Sequence, residues 1–248
     1  MLRHLDFPIV RVLAVVIAAS SSVACATTNS ATLATNQIKP SFAVEVNGNP
    51  NGSRTFISAI LGQPATMSNV ELAPGDVLTA KTDKDADVRL EYSSALQIWS
   101  ATLQNVTDRG AVTFSLARAN GTAAPSSNVQ LPAAVALTSP QHGQHVSVAS
   151  GTIPFAWSNP HSGANVRFFA YPCGAVATTS KQNGGPDAGS FAFPARDVVG
   201  FAGPPPAAGK CVTVQVVREV SGALDPAWAP GSTFKATRTD FVDVVLVP

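Results

Sequence analysis

Charge is scarce in this chain: Asp, Glu, Lys and Arg make up 12% of its 248 residues, and the formal net charge is +1. A chain without a basic excess has nothing to draw it to nucleic acid, so that class of partner is not expected. Histidine occurs four times and cysteine three times. No Gly-x-Ser-x-Gly elbow, His-Glu-x-x-His helix, phosphate-binding glycine loop or Gly-x-Gly-x-x-Gly fingerprint is present, so neither a cofactor nor a catalytic centre is predicted. Long apolar runs are also missing. The longest, around Val12–Ala19, is too short to cross a bilayer, and no segment keeps a helical period for long.

That short apolar run has a context. Arg3, His4 and Arg11 precede or flank it, Ser20–Ser22 follow, and Ser22-Val23-Ala24-Cys25 closes the segment. The pattern resembles a bacterial lipoprotein export signal, residues 1–24. The resemblance implies cleavage before Cys25 and a lipid anchor on that cysteine. The competing reading is ordinary cleavage after Ala24-Cys25-Ala26, which would release a periplasmic or secreted chain. The following residues, Ala26–Asn36, are small, polar and uncharged, so 25–37 are expected to be a lipidated cysteine and a disordered tether. By resemblance to sorting in Gram-negative bacteria, a residue other than Asp at position 26 favours the outer membrane.

Past the tether, apolar and polar residues alternate with period two. Phe42, Val44 and Val46 form one such set; Val88, Leu90 and Tyr92 another; Val112, Phe114 and Leu116 a third. Each reads as a half-buried strand, and the 19 Pro and 18 Gly supply frequent turns between them. Residues 95–104 fit a short helix or a strand equally well. The Ala/Asn/Ser/Gly/Pro-rich stretch 119–132 marks a boundary. Beyond it about seven strands are expected: 135–137, 146–148, 153–157, 166–171, 191–193, 212–217 and 241–247.

The segment from Leu137-Thr-Ser-Pro140 to Ile153-Pro-Phe-Ala-Trp157-Ser158 resembles the opening of bacterial Ig-like and fibronectin type III-like modules, which implies that Trp157 lies across a sandwich core. The phrases at Val70–Ala80 and Cys211–Pro226 resemble bacterial envelope lipoproteins, a likeness that carries no function. The expected fold is therefore all-β: two tandem antiparallel Ig-like sandwiches, residues 38–132 and 133–248.

Candidate sites are few. With Cys25 in the anchor, Cys173 and Cys211 remain as a disulfide pair in an oxidising compartment, closing a loop whose constraint is worth about 4 kcal/mol. Asp83, Asp85 and Asp87 have the alternate spacing of cation ligands, but Lys84 stands among them and a solvated hairpin turn suits them better. His142, His145 and His161 have no neighbouring thiolate or carboxylate to complete a metal set, so no metal is expected. Trp99, Phe168 and Phe169 read as core. Trp228, between Pro226 and Pro230, Phe201, and Tyr171 are candidate exposed, ligand-contacting aromatics. Loops 181–189 and 203–209, between the cysteines, are candidate recognition loops.

The leading reading is a lipid-anchored envelope protein with a structural or protein-interaction role and no catalysis. A carbohydrate- or polymer-binding module is the alternative, and a hydrolase with dispersed residues the third. The expected partners are the membrane, through the anchor, and an envelope protein or glycan.

Overall fold

The computed structural model of the protein describes residues 27–47, 54–84, 86–104, 106–174, 181–194, 197 and 208–248. The fold is all-β. Ten strands fall in the first half: β1 (Thr27–Asn29), β2 (Lys39–Asn47), β3 (Arg54–Gln63), β4 (Ser68–Glu71), β5 (Val77–Thr82), β6 (Val88–Arg89), β7 (Glu91–Ser93), β8 (Ile98–Leu103), β9 (Ala111–Ala117) and β10 (Ala124–Gln130). One sheet runs β1-β4-β3-β2, with β8 and then β7 on the far half of β3; the facing sheet runs β10-β9-β5-β6. Two of the alternating sets named above point between them, Phe42, Val44 and Val46 and Val112, Phe114 and Leu116, all buried; the third, expected as one strand, is split, Val88 in β6 and Tyr92 in β7 of the other sheet, with Leu90 buried between them. Residues 98–103 resolve the ambiguity as a strand, since Trp99 and Leu103 face the core in antiparallel register with Ala59 and Thr55.

The second half adds β11 (Leu137–Ser139), β12 (His145–Ser147), β13 (Thr152–Trp157), β14 (Asn165–Pro172), β15 (Lys181–Pro186), β16 (Ser190–Pro194), β17 (Lys210–Ser221) and β18 (Thr233–Val247). The sheet β11-β13-β16 faces the run β18-β17-β14-β15, the strand distribution of an Ig-like sandwich. Trp157 lies in this core against Phe168, ring centroids 5.1 Å apart, and Phe168 stacks on Phe191. The expected strands are present in this half, the first shifted from 135–137 to Leu137–Ser139, and β15 pairs with β14 in place of the expected recognition loop 181–189.

The two halves differ from the expected tandem in one respect. Strands β17 and β18 pair over twelve residues, and β18 continues past the second core to lie parallel to β2, Thr233–Thr239 against Ser41–Asn47. The sheet is thereby continuous through both modules and contains eleven strands. Residues 220–236 belong to the first core, which corrects the boundary that gave all of 133–248 to the second. The reason is an aromatic box: Phe42 stacks on Phe114 at 4.5 Å and meets Trp228 and Phe234 edge-on at 5.8 and 5.5 Å. Two of its four walls come from the C-terminal hairpin. Gly222 lets the chain enter there, because a Cβ at that position would lie 2.6 Å from the Asn128 carbonyl oxygen and 2.9 Å from the Phe234 ring.

Residues 27–37 are a second correction, for they are part of the first module rather than a disordered tether. β1 pairs in parallel with β4, and two short 3-10 turns, Ser30–Thr32 and Thr35–Gln37, follow. Few apolar side chains hold this segment, so composition alone hides it; its anchors are polar. Arg118 and Asp76 form a buried ion pair at 2.9 Å. Arg118 Nη2 donates to the carbonyls of Ser30 and Leu33 at 2.7 and 3.1 Å, and Nη1 to Thr35 Oγ1 at 3.1 Å. The Ser30 hydroxyl donates to Asp76 Oδ2 at 2.7 Å.

A chain ending at residue 132 therefore lacks half of its aromatic box. It is expected to show no cooperative unfolding transition by circular dichroism, and a sharp transition from residues 27–132 alone would refute the shared core. In the full chain, Phe234→Ala is expected to cost about 3–5 kcal/mol in urea denaturation.

Candidate functional site

The continuous sheet has an inner face, packed on both cores, and an outer face. Register places the outer residues in rows. One row runs Phe56, Glu45, Thr237, Glu219, Asn165; another runs Phe241, Gln215, Phe169. Lys235, Val217, Arg167 and Tyr171 fill positions between and beside these rows. Glu219 is held from two sides, by Arg167 at 3.1 Å and by Lys235 at 2.7 Å. The Arg167 guanidinium also stands 5.9 Å from the Phe169 ring centre. Phe169 is nearly buried, whereas Phe241 is 49% exposed; it pairs with Gln215 on one side and on the other falls between the stretches of β18 that pair with β2 and with β12. Burial pushes the Glu45 carboxyl above the usual carboxylate range, with Arg167 pulling the other way.

This face is built on a rigid junction. Arg218 of β17 is fully buried, its Nε 2.6 Å from Asp187 Oδ2. Its Nη1 donates to the carbonyls of Ala133 and Ala134 at 2.8 and 3.0 Å, and its Nη2 to that of Ser158 at 3.0 Å. Asp187 in turn accepts from Trp157 Nε1 at 2.7 Å and from the His161 backbone N–H at 2.8 Å. One guanidinium thus holds the inter-module linker, and one carboxylate holds Trp157 in its core. Beside it, in register on β18, Arg238 pairs with Asp108 at 3.2 Å. Burial pushes the Arg238 guanidinium downward, Asp108 supports its charge, and neighbouring Arg218 opposes it. Asp108 Oδ1 also accepts the Ala134 backbone N–H, and Asp240 Oδ2 that of Leu137. The linker is pinned from both sides.

The residues singled out by sequence scatter. Cys173 and Cys211 form a disulfide, Cα atoms 5.5 Å apart, at the end of the β14–β17 pairing. Trp228 is 5% exposed and donates its indole N–H to Ser127 Oγ at 3.0 Å, which corrects its reading as an exposed ligand-contacting ring. The flanking prolines suggested a surface loop, but the loop folds back on the first core. Tyr171 is half-buried on the outer face, its hydroxyl 3.3 Å from Gln215 Oε1. Cys25, Phe201, Asp85 and the loop 203–207 lie outside the described residues. His142 and His145 are exposed, and His161 packs beside Asp187, away from them in the fold. Among the described residues no three metal-ligating side chains come together. A shallow recess of about 190 Å³ between Lys39, Gln63, Met67 and Asn69 contains no histidine, cysteine or carboxylate.

Phe241 and Arg167 went unremarked in the sequence as site residues. The available signal was the alternation in Thr239-Asp-Phe-Val-Asp-Val-Val, where Phe241 shares a face with Thr239 and Asp243 rather than with Val242 and Val244.

No protein-family model matches the sequence, and no curated protein matches it. Solved structures similar to it include a cytokine receptor complex, 9% identical over 75% of this chain and 90% of that one, with a TM-score of 0.28. Others are the chicken CNTN1 FN1–FN3 domains, 9% identical over 85% of this chain and 69% of that one, TM-score 0.30, and a mutant Salmonella alpha-2-macroglobulin, 10% identical over 85% of this chain and 15% of that one, TM-score 0.26. Likenesses with TM-scores this low carry no functional argument.

Asp187→Ala leaves the Arg218 Nε buried without its carboxylate and is expected to cost about 3–5 kcal/mol; a loss below about 1 kcal/mol in urea denaturation would remove the pair from its structural role. Glu45 titrates in the opposite sense from an ordinary surface carboxylate. Its folded value lies above its unfolded one, so the folded chain holds the extra proton, and stability falls as pH rises from the usual carboxylate range through the raised folded value. Glu45→Gln is expected to flatten that part of the stability–pH curve, and an unchanged slope would contradict the assignment.

Proposed function

We propose that the protein is an exported envelope protein, anchored by lipid on Cys25, that works without catalysis as a rigid scaffold for a protein partner. The observation that carries this reading is the outer face around Phe241. A large aromatic side chain half open to water, beside Gln215 on a face that also carries Phe169, Tyr171, Arg167 and Glu219, has the composition of a binding patch: aromatic and arginine anchors with charged groups at the margin. The junction holds both modules in one orientation, so the patch is presented without an ordering cost. The outer membrane is the proposed location, in line with the export signal and residue 26. The carbohydrate-binding alternative loses Trp228 to the core and retains Tyr171 alone of its candidate rings among the described residues. The hydrolase reading needs a histidine with a free carboxylate nearby, and Asp187, beside His161, is already committed to Arg218 and Trp157.

A photocrosslinking amino acid in place of Phe241, with the same residue at exposed Ser147 as control, tests the face in intact cells. A defined polypeptide adduct from position 241 and none from 147 is expected; no adduct at 241 overturns the docking face. Cys25→Ser is expected to move the protein from the membrane pellet to the soluble fraction, and full retention would overturn the anchor.

A further inference from the structure

Among the described residues, two large apolar side chains other than Phe241 stand in water, Met67 at 90% exposure and Leu96 at 40%. They lie in two four-residue hairpin turns, 64–67 between β3 and β4 and 94–97 between β7 and β8. Both turns end in a left-handed residue, Met67 at φ +52° and Gln97 at φ +55°. That backbone favours glycine or asparagine, so nothing local calls for methionine at the first.

The turns occupy the same end of the first module. β8 runs antiparallel to β3, with Trp99 opposite Ala59, so the turn before β8 lies toward the C-terminal end of β3, where β4 pairs with Gly62 and Gln63 and the turn that follows β3 is found. Asn69, two residues beyond Met67, hydrogen-bonds through its Nδ2 to Gln97 Oε1. The same end receives Thr27. A single cross-strand row reads Lys39, Gly62, Asn69, Thr27, and the Thr28 hydroxyl meets that of Ser68 at 2.7 Å. Cys25 precedes Thr27 by two residues, a reach of about 7 Å at full extension. With residues 27–37 packed into the module, no spacer remains between an anchored Cys25 and the hairpin tips.

Charge agrees with this placement. The two hairpin tips carry no acid: none of the chain's 15 acidic residues falls in 62–70 or 92–99, and the acids that border them, Glu71 and Glu91, stand three residues or more down the strands from the turns. Lys39 is exposed there. The second module lies at the opposite end of β18, with its own partner face.

We infer that this end of the first module is a membrane-contact surface, on which Met67 and Leu96 enter the headgroup–acyl boundary of an anionic bilayer while Lys39 meets its headgroups. It rests on the anchor at Cys25, and the protein then stands on the membrane rather than hanging from a tether. One acyl chain alone gives marginal, reversible binding, so a second, apolar contact from the protein has a measurable effect on retention.

The test uses the mature chain, residues 25–248, with a single C14 acyl chain coupled to the Cys25 thiol through a maleimide; Cys173 and Cys211 are spared by their disulfide. Partition is measured on vesicles of phosphatidylglycerol and phosphatidylethanolamine. Met67→Ser combined with Leu96→Ser is expected to lower partition about tenfold, and Ala149→Ser, at an exposed site on the second module, to leave it unchanged. Lys39→Glu is expected to weaken binding on these vesicles and not on phosphatidylcholine. Equal partition of the double variant and the parent, at unchanged melting temperature, overturns the inference. The intact mass of protein from native membranes reads Cys25 separately: an unmodified cysteine there overturns the anchor, while the vesicle result still decides the surface.

Discussion

The buried pair of Arg218 and Asp187 decides how this protein is put together. A guanidinium with no exposure to water needs a carboxylate and several oxygens around it, and here those partners come from three places: Asp187 ahead of β16, the linker carbonyls of Ala133 and Ala134, and Ser158 after β13. Satisfying one side chain therefore fixes the linker against the second sandwich. It also fixes the β17 strand that carries the arginine, and through β17 the β18 strand beside it. A hinge at this place would strand a buried charge, so the modules are locked in one orientation.

The first module repeats the device on a smaller scale. Arg118 and Asp76 draw Ser30, Leu33 and Thr35 onto the sandwich by backbone carbonyls and hydroxyls. Both clamps convert a stretch that looks like a connector into part of a rigid body. The consequence is a body with distinct ends. Thr27 and the two apolar hairpin tips mark one, and β18, whose 15 residues extend about 50 Å at strand rise, leads from near it to the far edge of the second module. Separation of a recognition face from the membrane comes from the length of the sheet itself.

Much of the fold was legible in the residues. Period-two alternation located Phe42 to Val46, Val112 to Leu116 and nearly every strand of the second module, because a half-buried strand writes its two faces directly into the chain. The disulfide followed from two leftover cysteines. What escaped was everything held by polar groups or by distant partners. Residues 27–37 have too little apolar surface to be read as folded, and their order comes from Arg118, more than eighty positions away. Trp228 sits among prolines that signal a loop, yet its ring completes a core whose other members lie at 42, 114 and 234. Phe241 looked like one more strand residue, and its exposure follows from which neighbours flank β18.

The sequence by itself determined the class of structure, the strands, the disulfide partners and the absence of any recognised catalytic motif, since composition and alternation are local properties. Only the tertiary structure decided that the C-terminal hairpin serves both cores, that the modules are locked, and which apolar side chains are left outside. Those outcomes depend on pairings between residues up to two hundred positions apart, such as Phe42 with Phe234, and no local pattern encodes which of several compatible strands will lie beside β2.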